Sequence, residues 1–181
     1  IIKFEEKIAR ICNVDYAIAL NSGTDALTLS LHILGIGRGD EVITPPNSFI
    51  ASTAVIVHLG AKPVFVDVLP NQNIDPDKIE QAITKKTKCI IPVHLTGRIA
   101  DMEKILKIAK KYKLKVIEDS AQSIGSKFKK TYSGSFGDIG CFSAHPLKNL
   151  NAIGDAGYLV TNNKNYYKKI KDLRNHGMTN R

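Results

Sequence analysis

Short apolar runs alternate with stretches of helical hydrophobic spacing along the whole chain, and this alternation restricts the fold more than any other feature. Tyr16–Leu20, Glu41–Thr44, Pro63–Val68, Lys88–Val93, Leu114–Glu118, Gly140–Ser143 and Gly157–Thr161 read as strands. Between them, Thr24–Leu34, Asp101–Tyr112 and Asn163–Arg174 carry apolar residues at three-to-four spacing and read as helices. Pro45-Pro46-Asn47 breaks the second strand, after which Ser48 is expected to cap a helix through about His58 by accepting a first-turn N–H. Asp75 followed by Pro76 opens another helix in the usual order of cap then proline. A Gly-containing hairpin is expected around Lys129–Ser135. Several strands are apolar on both faces, as strands covered on both sides must be. The pattern therefore predicts an α/β, three-layer sandwich with a mostly parallel central sheet.

In such sheets ligands bind beyond the carboxyl ends of the strands, so the residues following each strand carry the functional information. Asn21-Ser22-Gly23-Thr24-Asp25-Ala26-Leu27 is a small turn opening directly into a helix, where free backbone N–H groups and the helix dipole favour an anion. It also fits an ordinary capped helix start. It is neither a P-loop, since no GK[ST] follows, nor a dinucleotide fingerprint, since Gly35-Ile36-Gly37 follows a helix. Val116-Ile117-Glu118-Asp119-Ser120-Ala121-Gln122 puts a carboxylate at the end of an apolar strand, suited to a protonated ring nitrogen or to capping a turn. Cys141-Phe142-Ser143-Ala144-His145-Pro146-Leu147-Lys148-Asn149-Leu150 then runs an apolar strand into a turn that presents one lysine before Gly154-Asp155-Ala156-Gly157. A lysine in that place suits Schiff-base chemistry if it is partly desolvated near a phosphate and a ring acceptor. His94, after the fourth strand, is placed near the pocket without a role.

The net charge of +9 raises the question of nucleic acid. The basic residues fall in runs such as Lys107–Lys115 and Lys164–Lys171, at spacings of solvated helix faces, and no zinc-finger, RNP or basic-helix signature accompanies them. No nucleic-acid partner is expected, and the charge favours phosphorylated ligands instead. No apolar run is long enough to span a bilayer, so no membrane partner is expected. Cys12, Cys89 and Cys141 form neither a disulfide framework nor a metal-ligand pattern, and the five histidines show no HxxxH or HExxH spacing, so no metal is expected. Reduced cysteines point to a cytoplasmic location.

The segments after the strands occur together and in order, and in that combination the chain resembles the DegT family of sugar aminotransferases, fold-type I enzymes that use pyridoxal 5'-phosphate (PLP). The resemblance is carried by Asn21–Leu27, Gly39-Asp40-Glu41-Val42-Ile43, Pro63-Val64-Phe65-Val66-Asp67-Val68, Pro92-Val93-His94-Leu95-Thr96-Gly97, Glu118-Asp119-Ser120-Ala121-Gln122, Phe142–Leu150 and Leu173-Arg174-Asn175-His176-Gly177.

The resemblance implies that Lys148 carries the cofactor and Asp119 pairs with its pyridine nitrogen. It places Gln122 beside the phenolic oxygen, Phe49 on a ring face, and Ser22, Gly23, Thr24 and Ser143 around the phosphate. It further implies a nucleotide-linked keto-sugar substrate, an amino-acid donor such as glutamate, and a homodimer with a shared active site. Lysine rather than histidine at position 148 favours transamination over sugar dehydration, and an inactive regulatory or scaffold relative is the remaining alternative. Glutamine at 122 leans towards 3-keto sugars. Family members are about twice as long as this chain, which opens in mid-helix and stops at NHGMTNR, so residues 1–181 are expected to be the PLP-binding large domain without an N-terminal stretch and a C-terminal small domain. Ala144 stands where an aromatic residue often precedes His-Pro, a change that bears on packing or on pocket shape.

Overall fold

The computed structural model describes residues 1–178. In chain order the elements are α1 (Ile2–Cys12), β1 (Tyr16–Leu20), α2 (Gly23–Ile33), β2 (Glu41–Thr44), α3 (Ala51–His58), β3 (Lys62–Phe65), α4 (Pro76–Ile79), β4 (Thr87–Ile90), α5 (Met102–Tyr112), β5 (Lys115–Asp119), β6 (Lys127–Phe128), β7 (Thr131–Tyr132), β8 (Ile139–Ser143), β9 (Gly157–Thr161) and α6 (Lys164–Arg174). The seven-stranded sheet has the order β1-β9-β8-β5-β4-β2-β3. Neighbours from β8 through to β3 pair in parallel, whereas β9 runs antiparallel to both β1 and β8. The reversed strand starts at Gly157, opposite Leu20 of β1 and Ser143 of β8, so its first residue shares an edge with the carboxyl ends of its neighbours.

Strands β2 and β9 are buried along their whole length, with apolar centres at Val42-Ile43 and Tyr158-Leu159-Val160 and polar or glycine ends that are buried with them. On one face Leu27 and Leu31 of α2, Val55 and Ile56 of α3 and Ile170 of α6 pack on Ile117, Ile139 and Leu159. On the other, Ile79 of α4 and Met102, Ile105 and Ile108 of α5 cover Ile43, Ile90 and Val116, while Ile8 and Cys12 of α1 cover Phe142 and Tyr158. This is the three-layer α/β sandwich. Local chemistry sets the helix ends. Asp75, Asp101 and Asn163 each accept a first-turn N–H, and α1 and α5 stop on Asn13 and Lys113 in the left-handed region.

Four local expectations need correction. Ser48 does not cap α3, which starts at Ala51 without a side-chain cap; its hydroxyl instead donates towards Ser52 Oγ and the Phe49 carbonyl. The third strand ends at Phe65 rather than Val68, because β3 is the sheet edge and Val68 turns back to bridge Ile74. The fourth ends at Ile90, two residues before Pro92, which has no N–H to extend a ladder; Val93 rejoins the sheet through a single bridge to Asp119. The hairpin forms upstream of its expected place, from Lys127 to Tyr132, with Lys129 at a φ of 55° in its turn. Of the closing segment, residues 179–181 lie outside the described residues. Among the described residues no helix is long and apolar enough to cross a membrane.

Candidate active site

The first strand ends in Leu20, and the turn after it feeds α2. Ser22 is extended, its Oγ accepting the Asp25 N–H at 3.0 Å and its carbonyl accepting from Ala26. The N–H groups of Gly23 and Thr24 stay without partners in the helix, at its positive end. Two glycines let neighbouring chain segments close around this turn. A Cβ at Gly23 would lie 2.9 Å from Ser143 Cβ, and one at Gly157 would lie 2.2 Å from the Ser22 carbonyl carbon. The ends of β1 and β8 and the start of β9 thus meet in a cradle of backbone donors and the hydroxyls of Ser22, Thr24 and Ser143. An anion of phosphate size is the ligand chemistry such donors suit.

At the end of β5, Glu118 and Asp119 face opposite sides, as successive strand residues do. Glu118 is fully buried and accepts four hydrogen bonds, from the N–H groups of Gly134, Phe136 and Gly137 and from His94 Nε2 at 2.8 Å. His94 Nδ1 accepts from Ala100 N–H, so the ring hydrogen is on Nε2. His94 therefore anchors a buried carboxylate and does not line the cleft. Asp119 turns towards the cleft and is only 6% exposed. Its Oδ2 accepts from Ser52 Oγ at 2.6 Å and its Oδ1 from Ala121 N–H at 3.2 Å, which fixes the carboxylate plane.

Gln122 Oε1 accepts the Thr96 N–H at 2.8 Å, leaving the amide NH2 as the donor end. Thr96 reaches it from a left-handed conformation, φ 55° and ψ 27°. Lys148 is half-buried in the turn after β8, held by its N–H to the His145 carbonyl at 2.8 Å. Phe49 is 67% exposed and lines the cleft from the segment before α3. Ala144 is buried in the core against the β8–β9 connection, bonded to Ala152 and Ala156, so its departure from an aromatic affects packing rather than the cleft wall.

Ser22, Gly23, Thr24, Phe49, Asp119, Gln122, Ser143 and Lys148 all border one cleft of about 570 Å³. That volume lies within the range of about 300–1,000 Å³ typical of small-molecule sites. Sequence reasoning missed His145 and Asp155, which also line it with Nε2 and Oδ1 3.8 Å apart, and Ser52 behind Asp119. A larger groove of about 810 Å³ runs between α1 and α6, where Arg174 of the last motif bonds Glu5 and the Ala19 carbonyl. It lies away from the cradle and none of the candidate residues lines it. Among the described residues no group of three or more His, Cys, Asp or Glu side chains is placed to hold a metal ion.

A profile of the DegT/DnrJ/EryC1/StrS aminotransferase family matches residues 1–181. A UDP-N-acetyl-3-dehydro-alpha-D-glucosamine 3-aminotransferase of Acidithiobacillus ferrooxidans is 49% identical over 96% of this chain and 47% of its own length. A pleiotropic regulatory protein of Geobacillus stearothermophilus is 46% identical over 97% of this chain and 47% of its own. The crystal structure of NtdA from Bacillus subtilis with bound cofactor PMP superposes with a TM-score of 0.88 and 44% identity, covering 94% of this chain and 38% of that one. The chain thus spans about half the length of the curated relatives it matches.

Proposed function

The chain belongs to the DegT/DnrJ/EryC1/StrS aminotransferase family, and from that premise we propose that residues 1–181 form the PLP-binding large domain of an aminotransferase that converts a nucleotide-linked keto-sugar to an amino-sugar, with glutamate as donor. One observation carries the reading: an anion cradle, a buried carboxylate, an amide donor, an aromatic side chain and a half-buried lysine, drawn from separate strand ends, face one cleft.

These residues fit PLP in chemistry as well as in place. The Gly23 and Thr24 N–H groups and the hydroxyls of Ser22, Thr24 and Ser143 suit its phosphate, Asp119 its ring nitrogen, the Gln122 amide NH2 its phenolic oxygen and Phe49 a ring face. When bound, PLP supplies an electrophilic carbonyl for amines and an electron-poor ring that stabilises negative charge at the reacting carbon. The protein supplies the rest. Asp119 would hold a positive ring nitrogen through a carboxylate oriented by hydrogen bonds from Ser52 and Ala121. Lys148 Nζ would hold the cofactor and, when free, would serve as the acid–base group that accepts a proton from the donor Cα and returns it on the cofactor side, the reverse steps delivering a proton to the sugar carbon.

The active form is proposed to be a cytoplasmic homodimer. Three buried free thiols suit a reducing compartment. The exposed apolar side chains of Phe49, Ile50 and Leu147 beside the cleft suit cover by a second copy. Glutamine at 122 supports a 3-keto sugar, and the aminotransferase of Acidithiobacillus ferrooxidans is named for amination at that carbon.

The full-length protein should absorb in the visible as PLP–lysine proteins do, and Lys148→Ala should abolish that band. Mass analysis of products from a panel of nucleotide keto-sugars should show an oxygen replaced by an amine. A deoxygenated product would mark a dehydratase, and absence of PLP binding a regulatory relative.

A further inference from the structure

Ser52 sits on α3, fully buried, 67 residues before Asp119 in sequence, and its contact with the Asp119 carboxylate has a consequence for the ring-nitrogen side of the cleft. A buried helical serine ordinarily returns its hydroxyl to the carbonyl three or four residues back. Ser30 does so in this protein, its Oγ lying 2.6 Å from the Ala26 carbonyl. Ser52 behaves differently. Its closest partner is Asp119 Oδ2 at 2.6 Å, whereas the carbonyl of Phe49 is 3.4 Å away. A serine has one hydrogen to donate, and the shorter contact to the carboxylate takes it. The Ser52 oxygen then accepts from Ser48 Oγ at 3.0 Å, and Ser48 stands one turn earlier beside Phe49. Two hydroxyls thus point in line at the carboxylate, and the α3 lead-in that delivers them also presents Phe49 to the cleft.

We propose that Ser52, backed by Ser48, is the positioning residue that aims Asp119 at the cofactor ring nitrogen. The proposal rests on the reading of Asp119 as the ring-nitrogen partner. The Ala121 N–H secures only Oδ1, at 3.2 Å. Without the Ser52 hydroxyl the other oxygen loses the one side-chain donor it has among the described residues, and the carboxylate is free to rotate within the space the hydroxyl leaves. A hydrogen bond to an ionised group contributes enough that its loss slows turnover about tenfold.

The test uses the full-length holoprotein reconstituted with PLP labelled with 15N in the ring, comparing wild type, Ser52→Ala, Ser52→Thr, Ser48→Ala and Asp119→Ala. The ring 15N signal of Ser52→Ala should move from the wild-type position towards that of Asp119→Ala. Its single-turnover rate with glutamate should fall about tenfold with little change in KM. Ser52→Thr should restore both, and Ser48→Ala should shift the signal in the same direction by less. A wild-type 15N signal and rate in Ser52→Ala would reduce Ser52 to packing and overturn the proposal. If Ser52→Ala does not fold, an unmoved signal in Ser48→Ala together with a displaced one in Ser52→Thr would overturn it equally. Failure of the underlying reading looks different: wild type would bind no PLP, or Asp119→Ala would leave the ring signal in place, and the proposal would fall with it.

Discussion

Asp119 reaches the cleft because it closes β5 one residue after Glu118, whose side chain goes to the opposite face and is satisfied there by four donors. The pair shows how far local sequence can go. Strand alternation and the end of an apolar run place a carboxylate at the ligand edge, and the family resemblance selects which of the two it is. Ser22, Gly23 and Ser143 are legible in the same way, since each lies at or just after a strand end, whereas Lys148 lies five residues past the end of β8 and is singled out by the resemblance. Ser52 and Thr96 are not, because their contacts to Asp119 and Gln122 span 67 and 26 residues and leave no local signal. The one clue to Ser52 is a serine in the first turn of α3, four positions after Ser48. Asp119→Ala should keep phosphate anchorage, which depends on the α2 cradle, and lose turnover by about a hundredfold or more. Measurement of PLP affinity alongside single-turnover rates separates the two effects.

Among the elements, the reversed strand β9 matters most for the site. Its first residue, Gly157, sits against the Ser22–Gly23 backbone so closely that any side chain must displace the cradle. Gly157→Ala should cost about 3 kcal/mol of stability and weaken phosphate binding, whereas Gly154→Ala, with open space around its position, should do neither; chemical denaturation and phosphate titration read both. The start of β2 offers a pH-dependent case. Glu41 is buried, and the Thr84 hydroxyl at 2.6 Å, then Lys62, hold its carboxyl below the ordinary value of 4.5. A lowered folded value means that the contribution is complete above about 4.5 and is lost as pH falls through the folded value. Glu41→Gln should therefore lower the melting temperature at pH 7, and its gap to wild type should close on acidification towards pH 3. A gap that stays constant would assign the loss to shape rather than charge. Strand and helix identities were readable from periodicity and caps. Ends decided by sheet position were not, as with β3 at the edge and β4 before Pro92. Ser48 fits a helix cap by local chemistry, and only the fold shows that its hydroxyl is spent on Ser52 Oγ.

For the whole molecule, the order β1-β9-β8-β5-β4-β2-β3 gathers onto one edge residues as distant as Ser22 and Lys148. Alternating strands and helices foretold the layers and the ligand edge, but not the strand order or the reversal of β9, which depend on pairings between distant segments. The exposed apolar side chains of Phe49, Ile50 and Leu147 beside the cleft suit cover by the second copy of the proposed homodimer. The central claim is a covalent one, and it is tested most directly by reducing the full-length PLP-loaded protein with borohydride and locating the trapped phosphopyridoxyl group by peptide mass spectrometry. The account predicts the label on the peptide containing Lys148 and nowhere else. A label on another lysine, or none on a protein that has bound PLP, would contradict it.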